Sequence, residues 1–531
     1  MKKHAHPRFK NALLTASALF AAVAASYGQT WDGGGANDNW STGANWNADV
    51  APVNDGNADV IFAGSTRTSP IMDVDWAIKT LTFASGASAY NLGGDNLLSL
   101  GTNLIANTTV LINNSTAVQT INSNIVVGSG NTGNSTTYTL NGGGGLNLTG
   151  DVDAGLFRIN LTGTAGSTIT VSGNISGARV GSPTSNSASN QTLSMGTEGV
   201  TYILSGNNTF TGNVYNQRGT VLLRSNTALG QAPNVTLGAD NNTSSPTMLI
   251  DGAYTIDRNF YVASSSGTAA GTVITVGGNT ADTSTFSGNF QLGNNLDNGG
   301  GKNLNVTAVD GGTVNFSGNL TTFNSDGKDS ITKIGNGTVV ISGTGNTYSG
   351  STSVTAGTLL INSAYAASGA AISVSANARL GGLATIDRAI SVSSGGILQG
   401  GDGTTGSTLS VNSNVTLGNG SVISLALGSA GSHSTLARLG GSWTFDLVDQ
   451  AFLFTDLGAT TGTYRDLLTG LSLDPGVAGW TILNEGWEGT FSYSGGNVSL
   501  NLTAVPEPSI VALAGLGLGF LLLRVRRKIL A

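Results

Sequence analysis

Apolar and polar residues alternate along the body of the chain in short β-branched runs, and each run ends in Gly, Asn, Ser or Asp. A period of two over so few residues, closed by turn formers, predicts short half-buried strands. No stretch of the body keeps the 3.6-residue apolar period of a helix, so the expected class is all-β.

Aligning the chain with itself exposes a repeat. Ser205-Gly206-Asn207-Asn208-Thr209-Phe210-Thr211-Gly212 is followed seven residues later by Gly219-Thr220-Val221-Leu222-Leu223. With one inserted residue, Ser342 to Gly350 is followed at the same distance by Gly357-Thr358-Leu359-Leu360-Ile361. Shorter echoes stand at Val171-Ser172-Gly173-Asn174-Ile175, Phe286-Ser287-Gly288-Asn289-Phe290 and Phe316-Ser317-Gly318-Asn319-Leu320, with steps of 30 residues from Gly288 to Gly318 and 25 from Gly318 to Gly343. A unit of this size, made of strands and turns, predicts one coil of a right-handed parallel β-helix. Inward Val, Ile and Leu would stack into one core, Gly and Asn would supply positive-φ corners, and Asn would form ladders along the turns. Residues 81–430, at about 22 per coil, predict roughly 16 coils and a rod about 75 Å long.

The tryptophans mark the ends of that rod. Trp31, Trp40, Trp46 and Trp76 lie before it, and Trp443, Trp480 and Trp487 after it. A solenoid must close its exposed apolar ends, so residues 29–80 are expected to form an N-terminal cap and 431–504 a C-terminal one. Exposed Trp and Asn would also suit a carbohydrate-stacking platform, the alternative for the first group. Phe491 and Tyr493 alternate toward Gly495-Gly496-Asn497, and Val498, Leu500 and Leu502 alternate away from it, predicting an antiparallel hairpin.

Composition narrows the chemistry. The 531 residues include 79 Gly and no Cys, with 10% charged and 6% aromatic side chains, yet 39% are hydrophobic, enough to bury a core. Without Cys there are no disulfides, thiolate metal sites or cysteine nucleophiles. His4 and His6 fall in the leader, so His433 alone remains, which disfavours histidine triads and multi-histidine zinc sites. Eight of the 22 basic residues sit at the two ends, leaving 14 bases against 28 acids over 29–504, about −14. Such a body repels nucleic acid and anionic membrane.

Both ends read as address labels. Residues 1–28 combine a basic start, an apolar run from Ala12 to Ala25 and a small-residue stretch, the pattern of a signal peptide, with cleavage expected after Gly28 or Ala25. Such a leader implies the Sec translocon and signal peptidase as partners. At the other end, Ser509 to Leu523 carries no charge, spans about 22 Å as a helix, and precedes Arg524, Arg526, Arg527 and Lys528, which would hold that end in the cytoplasm. Pro506-Glu507-Pro508, the apolar span and the Arg cluster together resemble the PEP-CTERM sorting domain. The resemblance covers residues 505–531 and implies recognition and removal of the tail by a membrane-embedded exosortase, hence transient anchoring in the inner membrane and transfer to the outer surface or extracellular matrix. A permanent tail anchor is the plainer alternative.

The segment from Lys333 to Ile361 resembles the autotransporter-associated β-strand repeat of passenger domains, with a looser copy over 204–223. A later stretch from Gly395 to Leu417 resembles the closing coils of such passengers, and the opening around Trp31-Asp32-Gly33-Gly34-Gly35 resembles secreted proteins with this repeat. Nothing in the chain supplies the membrane β-barrel of a self-transporter.

Parallel β-helices also house polysaccharide lyases and hydrolases, so carboxylate pairs matter. Asp73-Val74-Asp75 and Asp151-Val152-Asp153 would each place two carboxylates on one strand face, able to share a proton or a cation. In a body this acidic a solvated face or turn is the plainer reading. Gly93-Gly94-Asp95 and Gly400-Gly401-Asp402 lack the tandem repetition of calcium-binding nonapeptides. No cofactor or metal is expected. The expectation is therefore a non-enzymatic, exported structural or adhesive protein of the cell surface or matrix, with exopolysaccharide as a partner. The alternative is a carbohydrate-active enzyme using Asp73, Asp75, Asp151 or Asp153.

Overall fold

A computed structural model of the chain describes residues 28–104, 107–131, 136–181, 188–238, 245–262, 273–293, 301–323, 328–364, 369–446 and 449–506. The signal-peptide segment and the tail from Glu507 onward, including the 509–523 span and the terminal basic cluster, lie outside these residues. Among the described residues no helix is long and apolar enough to cross a membrane.

The short alternating runs become strands of two to eight residues that wind around a common core as a parallel solenoid. One face is a sheet of twelve strands from Gln29–Trp31 to Leu320–Thr322, and a second has fifteen strands from Asn91–Leu92 to Trp443–Thr444. The third face holds five strands from Trp76–Ile78 to Ile175–Ser176, then ten from Thr255–Ile256 to Thr481–Ile482. Irregular segments bridge that gap: Thr209 N–H donates to Ile175 O at 2.9 Å, and Thr255 N–H to Asn226 Oδ1 at 2.8 Å. Each coil is therefore free to vary its length at the corners while the ladders continue.

Register explains the core. Leu148, Val171, Leu204, Leu223 and Ile250 stand one above another on successive strands of the second face, each no more than 2% exposed. Burying such a side chain contributes about 1.5–3 kcal/mol. Further along, Phe260 stacks on Phe290 with ring centroids 4.5 Å apart, and Phe286 on Phe316 at 5.3 Å. The same parity that points these residues inward points their Thr, Ser and Asn neighbours out.

The Ser-Gly-Asn echo is a corner whose cause differs from the one expected. Gly173, Gly206, Gly318 and Gly343 do not use positive φ. They are glycine because coils stack there with no room for a side chain: a Cβ on Gly173 would lie 1.9 Å from Gly150 O, and one on Gly318 2.0 Å from Gly288 O. The asparagine that follows supplies a hydrogen bond rather than a left-handed turn. Asn174 Oδ1 accepts Asn207 N–H at 2.7 Å, and Asn289 Oδ1 accepts Asn319 N–H at 2.9 Å. The expected Asn ladder is present in this form. Positive φ is used at a different corner, as at Gly335 and Gly357.

At the start of the rod the four N-terminal tryptophans converge over the first coils. Trp31 and Trp46 meet edge to face at 5.2 Å, Trp40 and Trp46 at 5.8 Å, and Phe62 touches all three. Trp46 Nε1 donates to Trp40 O at 2.7 Å. Trp31, Trp40 and Trp46 are at most 1% exposed and Trp76 3%, so they form packing rather than the open stacking platform considered above. At the far end the strand direction reverses. Glu488–Ser494 and Asn497–Ala504 form the expected antiparallel hairpin, turning at Gly495 and Gly496, both at positive φ, and Asn497–Ala504 also pairs antiparallel with Gly462–Thr469.

Candidate functional site

Asp73-Val74-Asp75 is not on a strand. It lies in a bend just before Trp76–Ile78, where Val74 is 45% exposed instead of pointing inward, so the two carboxylates do not share a strand face as expected. The side chains part: Asp73 accepts both the N–H and the hydroxyl of Ser41, next to Trp40, while Asp75 Oδ1 accepts Leu97 N–H at 2.9 Å. One pins the tryptophan-bearing loop and the other ties the next coil.

Asp151-Val152-Asp153 comes nearer to expectation, with Val152 buried between two outward carboxylates, although only Val152–Asp153 is strand. Both are occupied by backbone. Asp151 Oδ1 accepts Asn174 N–H at 2.8 Å, while Asp151 N–H donates to Asn124 Oδ1 at 2.9 Å, and Asp153 Oδ1 accepts Gly155 N–H at 2.8 Å. Asp75 and Asp151 occupy the same corner, at opposite ends of a column that runs through Leu97 and Asn124. Three coil steps of about 4.8 Å separate them by roughly 14 Å, beyond the ~5–9.5 Å over which paired carboxylates cleave glycosides.

Asp73 does reach an open cleft of about 560 Å³ beside the first coils, lined by Asp38, Asp73, Asp95, Asn91, Asn96 and Ile71 among others. No Lys, Arg or His is among its lining residues. Asp38 is held by Arg67 at 2.9 Å, and Asn96 Nδ2 donates to Met72 O at 2.8 Å. Among the described residues no group of three or more His, Asp or Glu is arranged to hold a metal ion. His433 lies beside the short turn Ser429–Gly431, with Nδ1 2.9 Å from Ser434 O, part of a local backbone network.

Four buried cations, Arg179, Lys302, Lys333 and Arg388, escaped sequence reasoning, and the last two are the most deeply buried. Lys333 is 0% exposed, and its ammonium donates to Ile334 O, Gly335 O and Ala356 O at 3.0, 2.7 and 3.0 Å. Burial pulls its pKa down to about 8. Three converging carbonyls give the charge a place inside the rod without a carboxylate. The signal was available, because Lys333 shares inward parity with Ile331 on Ser330–Ile334. Arg388, 1% exposed, donates to Gly350 O at 2.9 Å and to Tyr348 O, with its guanidinium 5.4 Å from the Tyr348 ring.

Of the sorting residues, Pro506 is described, exposed, and set immediately after the final strand Asn497–Ala504. Glu507, Pro508 and the basic residues lie outside the described part, as does everything before Gly28, whose neighbour Gln29 opens the first strand.

Comparison with known families gives two matches. A passenger-associated-transport-repeat matches residues 331–361, parts of two stacked coils that contain Lys333 and the second copy of the internal repeat. The PEP-CTERM protein-sorting motif matches residues 504–528. Among curated proteins none matches the chain. The molecule thus joins a passenger-type repeat to a sorting motif that marks it as an exported, exosortase-sorted protein of the cell envelope.

Proposed function

We propose that the chain is a non-enzymatic structural or adhesive protein of the cell surface or extracellular matrix. One observation carries the reading: all four candidate carboxylates accept hydrogen bonds within the fold, three from backbone amides alone and Asp73 from the amide and hydroxyl of Ser41. In this reading residues 29–80 and 431–504 close the rod, and the rod itself spans 81–430. The Sec translocon exports the chain, signal peptidase removes the leader after Gly28, and the tail anchors the chain in the inner membrane until exosortase cuts it.

Incubating the protein with acidic and neutral polysaccharides should release no new reducing or unsaturated ends; their appearance would overturn the reading. Cell fractionation with intact mass tests the itinerary. The surface species should lack residues 509–531, and a surface species that retains them sinks exosortase processing.

A further inference from the structure

Among the described residues the strands of the second face carry almost no charge, and the Arg224–Asp251 pair that borders them, 2.5 Å apart, neutralises itself. Its fifteen strands contain one charged residue, Lys333, and that one points inward. The outward positions are in register. Thr168 stands over Thr201, then Thr220, Thr247 and Thr275, and the row continues through Asn305 and Thr332 to Thr444 with only Ser and Thr between. Beside it a second row brings Ile203, Leu222 and Leu249 to the surface. The other faces differ: Asp59 and Arg158 project from the first, and Asp153 and Arg379 from the third.

We infer that this face is where a second copy of the chain packs, the two rods lying side by side with their hydroxyl rows facing. Charge selects the surface. The body carries about −14, so two copies repel one another over most approaches, and this strip is where that repulsion is least. Period selects the occupant. Side chains repeat at the strand spacing of about 4.8 Å, and an identical rod repeats at the same step, so each Thr or Ser enters the gap between two of its partner's along the whole row. Thr and Ser are short and lose little side-chain freedom on contact, which lets two sheets approach to about 10 Å. The strip from Thr168 to Thr444, about 50 Å long and about 12 Å wide, offers on the order of 600 Å² per copy, at the lower bound of stable interfaces once both partners are counted. A two-fold axis lying in the plane between the two facing rows closes the pair, and a contact confined to Thr168–Thr444 leaves the three-Asp cleft near the first coils outside it. The pairing does not depend on the surface-protein reading.

Sedimentation of the protein recovered from full-length expression tests it. The wild type should show a monomer–dimer equilibrium that added salt leaves unchanged or tightens, because salt screens body repulsion and the interface has no ion pair to lose. The triple variant Thr220→Glu, Thr247→Glu, Thr275→Glu should weaken association at least about tenfold. The matched triple Thr283→Glu, Thr313→Glu, Thr338→Glu places the same charges on outward positions of the third face and should leave it intact. A wild type that stays monomeric at every concentration, a dimer that salt dissociates, or equal loss in both triples overturns the proposal.

Discussion

At the N-terminal end Trp31, Trp40 and Trp46 are sealed to 1% exposure or less beneath the first coils, whereas at the C-terminal end Trp480 keeps 9% and Trp443 and Trp487 are only partly covered. The first end is closed by rings packed on Phe62, the second by strands that change direction, with Phe452, Trp480 and Phe491 filling the space beneath. The difference follows from what each end must satisfy. Both must cover apolar core, but the last coil would also present a parallel edge able to recruit another chain. Antiparallel pairing of Gly462–Thr469 with Asn497–Ala504 consumes that edge. Unpartnered buried indole N–H groups occur at both ends, Trp40 Nε1 and Trp76 Nε1 at the start and Trp443 Nε1 at the far end.

Because no tryptophan lies between 77 and 442, indole fluorescence reports on the ends and far-ultraviolet circular dichroism on the whole rod. Denaturation followed by both signals separates the regions, and the largest effect belongs to the first end. Trp46→Ala removes a fully buried ring and its bond to Trp40 O, and should cost about 3–5 kcal/mol, with the first coils losing hydrogen-exchange protection before the rest. Trp480→Ala, at a site already partly open, should cost less, about 2 kcal/mol. Equal losses would erase the distinction between plug and reversed edge.

Mid-rod substitutions sharpen the contrast by moving the dichroism transition more than the fluorescence one. Gly318→Ala forces a methyl against Gly288 O and should cost about 1–3 kcal/mol, although its φ would tolerate alanine. Lys333 gives the middle its own pH dependence. Its pKa is about 8 in the fold against an ordinary 10.5, so between those values the unfolded chain holds a proton that the folded one has released. Stability should therefore rise from about pH 8 to about pH 10.5, by about 1–3 kcal/mol, and Lys333→Met should flatten that rise. Smallest is Asn174→Ala, which strips one acceptor from Asn207 N–H at an exposed corner and should cost about 1 kcal/mol.

The all-β class, the coil repeat and the closing hairpin were legible because each rests on local spacing. The Ser-Gly-Asn corner was legible as a corner but not in its cause, since a glycine excluded by a carbonyl one coil away looks the same in sequence as one chosen for positive φ. Asp73 and Asp75 misled for a related reason: alternation over three residues resembles strand, and only Ser41, 32 positions away, shows that the segment bends. The low-charge strands of the second face are separated by about 20 to 30 residues, so no window along the chain contains the face. Lys333 was legible by parity alone, since it shares the inward position of Ile331, and a charge at that position does not read as core.

The last strand has a mechanical consequence. Asn497–Ala504 lies between two antiparallel neighbours and runs straight into Pro506, where the sorting tail begins. Tension applied beyond Pro506 is directed along the strand. It loads both ladders in shear, so their hydrogen bonds resist together instead of parting one by one from a free end. The hairpin that finishes the fold is thereby also the part best placed to bear load from that end.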